Sequence, residues 1–229
     1  MRIVRDNDDI DWNKKQLWEG CIFASITHAI MVAHCPYVSH EQSWDGINYT
    51  IQNGSGSVAA ITFHPLGCVA VFLEVSSERS FGEKRNELKL EDYFKKSPKE
   101  IFKIANEECL QYMLDEIDNE IRPIISTCIW EENGVFHSID PLDIFLEEGG
   151  ELLYPHSLSI EESKEIWMEE FEMTEEQYEL ILSIFNRRIT DPTEKIILTP
   201  DEIEIIGSDD EFGIQESKVC CEQIGIFWE

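Results

Sequence analysis

The segment from Lys14 to Ala33 constrains the fold more than any other part of the chain, because it is apolar around almost its whole circumference. Its large apolar residues recur with helical spacing and leave no polar face to turn toward water. Such a helix needs a core on every side, so we predict that it lies centrally and ends before Cys35-Pro36. The longest apolar stretch, Cys21 to Cys35, contains several polar residues and is too short to span a bilayer.

Alternating residues after this helix predict an antiparallel sheet. Residues 47–51 and 59–63 alternate between apolar and polar side chains, and they flank the turn-forming Asn53-Gly54-Ser55-Gly56. The run from Cys68 to Val75 is almost wholly apolar, which is typical of a strand buried on both faces. These three segments predict a hairpin followed by an interior strand.

The second half of the chain is predicted to be mainly helical, with a further hairpin. Asn133-Gly134 lies between two apolar segments and is a strong hairpin signal. Three capping patterns predict helix starts, and the first of these helices is expected to continue through Ile117. The capping pairs are Ser97 with Glu100, Ser159 with Glu162, and Thr174 with Gln177. From Thr199 onward the pattern stays open, since a helix start is followed by strand-like alternation.

Together these patterns predict an α+β fold. We expect an antiparallel sheet packed on the buried N-terminal helix, followed by a helix-rich acidic half. The polar stretch from Ser76 to Leu90 suggests two subdomains, residues 1–82 and 83–229, with one continuous domain as the alternative.

The charge of the chain is strongly negative and unevenly placed. Lys and Arg number 18 against 47 Asp and Glu, a net charge of −29, and residues 131–179 hold sixteen acids and one base, Lys164. A field of this sign repels nucleic acids and anionic membranes and speeds association with a cationic surface. We therefore expect a basic protein partner, no direct nucleic-acid binding and no membrane association. Solubility alone is the alternative explanation.

The helices predicted after Ser159 and Thr174 should display many of these acids on rigid elements. An apolar anchor beside the acids would supply the hot spot that protein interfaces usually contain. The predicted partner-binding residues are Glu162, Glu165, Glu169 and Glu172, with Trp167 or Tyr178 as the aromatic anchor.

Cysteine usage and the N-terminus indicate a reducing compartment. The seven Cys are an odd number, are scattered, and show no CxxC spacing. The segment from Met1 to Trp12 is polar and acidic, unlike a signal peptide. We expect a cytoplasmic monomer or small oligomer without structural disulfides.

Motifs for cofactors and metals are absent from the sequence. There is no GxGxxG, GxxxxGK[ST] or HExxH, and no EF-hand pattern accompanies the N-terminal acids Asp6, Asp8, Asp9 and Asp11. His28, His34 and His40 recur every six residues, which does not place two ligands on one helix face. We predict no cofactor and no metal.

One short pattern has catalytic character. Gly20-Cys21 lies near the start of the apolar helix with Gln16 five residues before the Cys, and this resembles papain-like cysteine proteases. The resemblance implies Cys21 as nucleophile, Gln16 at the oxyanion hole, and His137 as the partner base with Asp140 orienting it. The other interpretation makes Cys21 a packing residue and His137 a solvent-facing strand residue.

The function predicted from these observations is a non-enzymatic acidic binding protein. An immunity protein or antitoxin that covers a basic nuclease-like protein fits best, because carboxylates complement the Lys and Arg with which such proteins hold phosphates. A papain-like hydrolase and a scaffold subunit of a larger complex remain the alternatives.

Overall fold

A computed structural model of the chain describes residues 9–85, 87–117 and 119–228. The strands in these residues are β1 (Asp9–Ile10), β2 (Gln42–Asp45), β3 (Asn48–Gln52), β4 (Val58–His64), β5 (Gly67–Leu73), β6 (Leu114–Ile117), β7 (Glu120–Pro123), β8 (Thr127–Glu132), β9 (Val135–Ser138), β10 (Ile196–Leu198) and β11 (Ile226–Trp228). The α-helices are α1 (Lys14–Val32), α2 (Leu90–Tyr93), α3 (Lys99–Glu107), α4 (Leu142–Glu147), α5 (Ile160–Glu170), α6 (Glu175–Thr190), α7 (Pro200–Ile206) and α8 (Glu211–Gln223). Short 3-10 helices cover Pro36–Val38, Cys109–Met113, Gly150–Leu153 and Pro155–Ser157.

The chain divides into two compact units, each built from two separate stretches. The described residues of unit 1 fall within 9–14 and 46–154, and those of unit 2 within 15–45 and 155–228. The predicted boundary after residue 82 falls inside unit 1, while nearly all of α1 shares unit 2 with the C-terminal helices.

Unit 1 contains an antiparallel sheet, and the α+β class is confirmed. Within its described residues six strands pair in the order β1-β9-β8-β5-β4-β3. The interior strand β5 is buried along nearly its whole length, as its apolar run predicts. Val71 on one face joins a core with residues of α3 such as Ile104. Phe72 points to the other face and its ring lies 5.2 Å from that of Phe145 in α4.

The predicted long helix from Ser97 is wrong in two respects. The Ser97 hydroxyl donates to the carbonyl of Phe94 at 2.9 Å, so it does not cap α3, whose N-cap is Pro98. The helix ends at Glu107, and Glu108 leaves helical geometry with φ −121° and ψ −97°. A 3-10 helix then carries Cys109 into the core, and β6 and β7 form a hairpin. The apolar spacing survives this change because a 3-10 turn also brings every third residue to one face.

Unit 2 is helical and is organised around α1. Most of α1 is buried, as its all-round apolar character predicts. The ring of Phe23 meets those of Tyr178 and Phe185 edge-on, at 6.1 and 5.4 Å, which joins α1 to α6. The predicted capping boxes at Ser159 and Thr174 both form.

The C-terminal segment combines helix and strand. Thr199 caps α7 with a capping box and Pro200 occupies its first turn, so the helix start is confirmed for this part. Helix α8 was not predicted. The alternating tail forms β11, which pairs in parallel with β10.

Candidate partner-binding surface

Nine exposed acids lie on α5, on α6 and in the turn between these helices. We call this the α5–α6 acidic surface, and it contains Glu161, Glu162, Glu165, Glu169, Glu170, Glu172, Glu175, Glu176 and Glu179, all exposed. Capping boxes fix both helix starts, since Ser159 Oγ and Thr174 Oγ1 accept from the main-chain N–H three residues later. The acids in the first turns are favourable beside the helix N-termini. The four predicted acids, Glu162, Glu165, Glu169 and Glu172, all belong to this surface.

Lys164 connects the two helices within this surface. Its ammonium lies 3.0 Å from Glu175 Oε2 and 4.3 Å from the centre of the Tyr178 ring. The hydrogen bond to Glu175 raises the pKa of Lys164 above its ordinary value. Because its charge is offset by Glu175, the one base of this segment does little to reduce the negative field of the other acids.

The two predicted aromatic anchors lie in the core of unit 2 instead of at its surface. Trp167 is 3% exposed and Tyr178 is 4% exposed. Trp167 stacks on Phe171 at 5.9 Å and meets the His156 ring edge-on at 5.3 Å. Trp167 and Tyr178 therefore pack α5 and α6 onto the core of unit 2. They are not available as apolar anchors on the α5–α6 acidic surface.

Glu170, although its side chain is exposed, has its carboxylate near neighbouring protein groups that affect its pKa. Desolvation raises its pKa above the ordinary value, and the nearby carboxylate of Glu41 raises it further. Desolvation also raises the pKa of Glu41, against an opposing effect of His40. Two carboxylates that share a partly desolvated site repel each other, so a cationic group is favoured at this position.

The residues of the papain-like pattern are distributed over both units. Cys21 is fully buried within α1, in unit 2, and His137 is half-buried on β9, in unit 1. Gln16 donates from Nε2 to the carbonyl of Ser157 at 2.8 Å. A Cβ on Gly20 would collide with the carbonyl of His156. Gln16 and Gly20 lie four residues apart on one helix face, and both contact the turn at residues 155–157. The hydrolase hypothesis stays a prediction.

Asp140 belongs to an ion-pair network that the sequence did not reveal. Its two carboxylate oxygens accept from Arg79 Nη1 and Nη2 at 2.8 and 3.0 Å, and Thr127 Oγ1 donates to one of them at 2.7 Å. The Arg79 Nε also lies 3.4 Å from Glu148. The bond to Asp140 raises the pKa of Arg79. This network ties the loop containing Arg79 to the sheet and to the end of α4, which is a stabilising role.

The histidines considered as metal ligands bind main-chain groups or lie apart. His28 Nε2 lies 2.9 Å from the carbonyl of Val38, and His34 Nε2 lies 2.7 Å from that of Ile206. His64 is in unit 1. Within the described ranges no group of three or more His, Cys, Asp or Glu could hold a metal ion. Asp6 and Asp8 lie outside the described residues.

The seven cysteines are free thiols, and all but Cys35 are buried. Desolvation raises the pKa of Cys109 and of Cys220 to about 12, and that of Cys221 to about 11. Thiols with such pKa values are protonated at neutral pH and are poor nucleophiles.

Comparison with protein-family models, with curated proteins and with solved structures found no match to this chain. In the part of the chain that the structure describes, no helix has the length and apolar character needed to cross a membrane.

Proposed function

We propose that this chain is a non-enzymatic, cytoplasmic binding protein that uses the α5–α6 acidic surface to cover a basic protein. Immunity proteins and antitoxins that block nuclease-like proteins are the class that this chemistry fits best. The observation that carries the proposal is the density of exposed carboxylates on two capped helices, with Lys164 already paired to Glu175.

The physical argument is one of electrostatic complementarity. Proteins that act on nucleic acids hold phosphates with clusters of Lys and Arg, and a carboxylate surface on rigid helices can occupy the same groups. Carboxylates crowded on one surface repel each other within the free protein, and a cationic partner relieves that repulsion. Net negative charge also disfavours direct contact of this surface with nucleic acid.

The experiment is affinity capture from a lysate of the native cells with three tagged proteins. They are the natural chain, a surface variant with Glu165, Glu169, Glu172 and Glu179 replaced by Lys, and a matched control. Glu162 is left unchanged because its carboxylate accepts from Ser159 in the capping box of α5. The control replaces the exposed Glu91, Glu100, Glu116 and Glu120 of unit 1 by Lys. Both variants change the net charge from −29 to −21, since four replacements add 8.

The proposal predicts a basic protein that the natural chain and the control retain and that the surface variant loses. If that protein is a nuclease, a stoichiometric amount of the natural chain should suppress its activity. Equal capture by all three proteins, or partners without basic character, would contradict the proposal.

A further inference from the structure

Two contacts with α1 and its C-terminal end fix the rotation of helix α8 about its own axis. A Cβ on Gly213 would collide with the carbonyl oxygen of Ala33, so the helix backbone lies directly against the end of α1. Four residues on, Ser217 Oγ donates to the carbonyl of Ala29 at 2.6 Å. Residues four apart lie on one helix face, so Gly213 and Ser217 mark the inward face of α8 and determine which residues point outward.

The outward side of α8 carries two large apolar side chains. Phe212 is 60% exposed and Val219 is 46% exposed. They are seven residues apart and therefore lie on one side of the helix, with the polar Gln215 and Glu216 between them. We call Phe212 and Val219 the α8 stripe. Tyr37, 82% exposed, lies two residues before Ser39, whose carbonyl accepts from Cys220 of α8 at 3.7 Å.

Exposed acidic residues lie near both ends of the α8 stripe. Asp209, Asp210 and Glu211 are exposed at the start of the helix, and Glu222 is exposed near its end. The cation of this helix, Lys218, has its ammonium 5.4 Å from the centre of the Trp228 ring. Two apolar side chains bordered by carboxylates complement a ligand that has apolar side chains on one side and Lys or Arg beside them.

We propose that the α8 stripe docks a cationic amphipathic helix of the partner protein. The inference rests on the proposed function, which requires a basic partner, and it adds the apolar anchor that Trp167 and Tyr178 cannot supply from the core. The partner helix has apolar residues at intervals of three and four positions and Lys or Arg on its flanks. A second copy of this chain is a poor occupant because it would bring the same acids to the contact.

Two fluorescent peptides of the same composition test this inference with the full chain. Each has about 18 residues of Leu and Lys, which corresponds to five helical turns. In the amphipathic peptide the Leu residues follow helical spacing, and in the scrambled peptide they are distributed around the helix. Fluorescence anisotropy at low salt measures the dissociation constant of each peptide from the natural chain and from the variants.

The central variant combines Phe212→Ala with Val219→Ala, since Ala preserves the helix. The control combines Leu66→Ala with Ile121→Ala, two residues of unit 1 that are even more exposed, at 74% and 75%. Phe212→Ala alone serves if circular dichroism shows that the double variant is unfolded. We expect the stripe variant to bind the amphipathic peptide with a dissociation constant at least tenfold higher than that of the natural chain, and the control variant to change this constant less than twofold. The natural chain should bind the scrambled peptide at least tenfold more weakly than the amphipathic one.

The remaining outcomes overturn the inference and separate it from the proposed function. If the stripe variant binds as the natural chain does, or both peptides bind equally, docking through the α8 stripe is wrong. If, in either case, the α5–α6 surface variant no longer binds the peptides, the proposed function stands without the α8 stripe. If neither peptide binds, docking through the α8 stripe is wrong, and the capture experiment still decides the proposed function. Dimerisation of the natural chain in sedimentation that the stripe variant abolishes would assign the stripe to a second copy and also overturn the inference.

Discussion

Gly20 of α1 packs directly against the main-chain carbonyl of His156, with no space between them for a side chain. One turn earlier, Gln16 donates to the carbonyl of Ser157 at 2.8 Å. The Gln and the Gly that give the sequence its papain-like pattern therefore share a packing role in unit 2. The contact explains why a residue without a side chain stands directly before Cys21.

Replacing Gly20 by Ala should destabilise the protein by roughly 2 kcal/mol or more, because overpacking against a main-chain group forces the backbone to move. Urea unfolding measures the change. The matched control is Gly54→Ala, because a Cβ at Gly54 would have nothing within 4 Å. That control should stay within about 0.5 kcal/mol of the natural protein. Equal stability of the two variants would show that the His156 turn does not pack tightly on α1.

His156 should make stability depend on pH. Desolvation lowers its pKa to about 3 in the folded state, from the ordinary value of about 6.5 that applies when unfolded. Between these values the unfolded state binds a proton that the folded state does not, so the free energy of unfolding falls as pH falls. The expected slope from this one group is about 1.4 kcal/mol per pH unit.

The measurement compares urea unfolding of the natural chain and of His156→Gln from pH 7 downward, over about two pH units. The variant removes the contribution of His156 and retains those of the carboxylates, including the opposing effect of Glu41 and Glu170, whose pKa values are raised. The stability difference between the two proteins should therefore change with pH. A constant difference across this range would mean that His156 titrates normally in the folded protein.

Thiol accessibility should separate Cys35 from the other six cysteines. The rest are buried, and desolvation raises the pKa of several of them. Titration with a thiol reagent should find one rapidly reacting group in the native protein and seven after denaturation without reductant. Cys35→Ser should abolish the rapid phase. A stoichiometric loss of two thiols after denaturation would instead indicate a disulfide.

Arg188 should be important for the stability of unit 2. Its guanidinium is buried and donates to the carbonyls of Pro192, Glu194 and Gly225 at 3.0, 2.9 and 2.7 Å. Arg188→Met leaves these acceptors without their donor, and we expect a loss of about 3 kcal/mol from the three hydrogen bonds of the charged guanidinium.

The adjacent Arg187 provides the control for Arg188. It forms an ion pair with Glu202 at 2.6 Å and is more exposed. Arg187→Met should cost about 1 kcal/mol, less than Arg188→Met, because this pair remains partly open to solvent. Urea unfolding that shows the same loss in both variants would contradict the role assigned to Arg188.

Local patterns predicted much of the fold. The strands around Asn53 and Asn133, the all-round burial of α1 and the caps at Ser159 and Thr174 follow from spacing and turn chemistry, which act over a few residues. The helix predicted through Ile117 failed because apolar spacing of three or four also fits a 3-10 turn. The hairpin of β6 and β7 that follows has only weak alternation.

Long-range relationships were not available from spacing. Arg79 and Asp140 are 61 positions apart, and no local pattern links them. The acids of the α5–α6 acidic surface were predicted because charge density is visible in the sequence. The burial of Trp167 and Tyr178 was not predicted, because the sequence does not show whether an aromatic residue on a helix faces the core or the solvent.

Stopped-flow association between this chain and the basic protein captured from the lysate tests the central claim most directly. The rate is measured from about 0.01 M to about 1 M salt, over which the Debye length shrinks from about 30 Å to about 3 Å. At low salt the surface variant (Glu165, Glu169, Glu172 and Glu179 to Lys) should associate at least roughly tenfold more slowly than the unit 1 control of the same net charge. The dissociation rates should change much less, and the association rates should converge at high salt. Equal association rates for the two variants at low salt would contradict the claim that the α5–α6 acidic surface guides the partner.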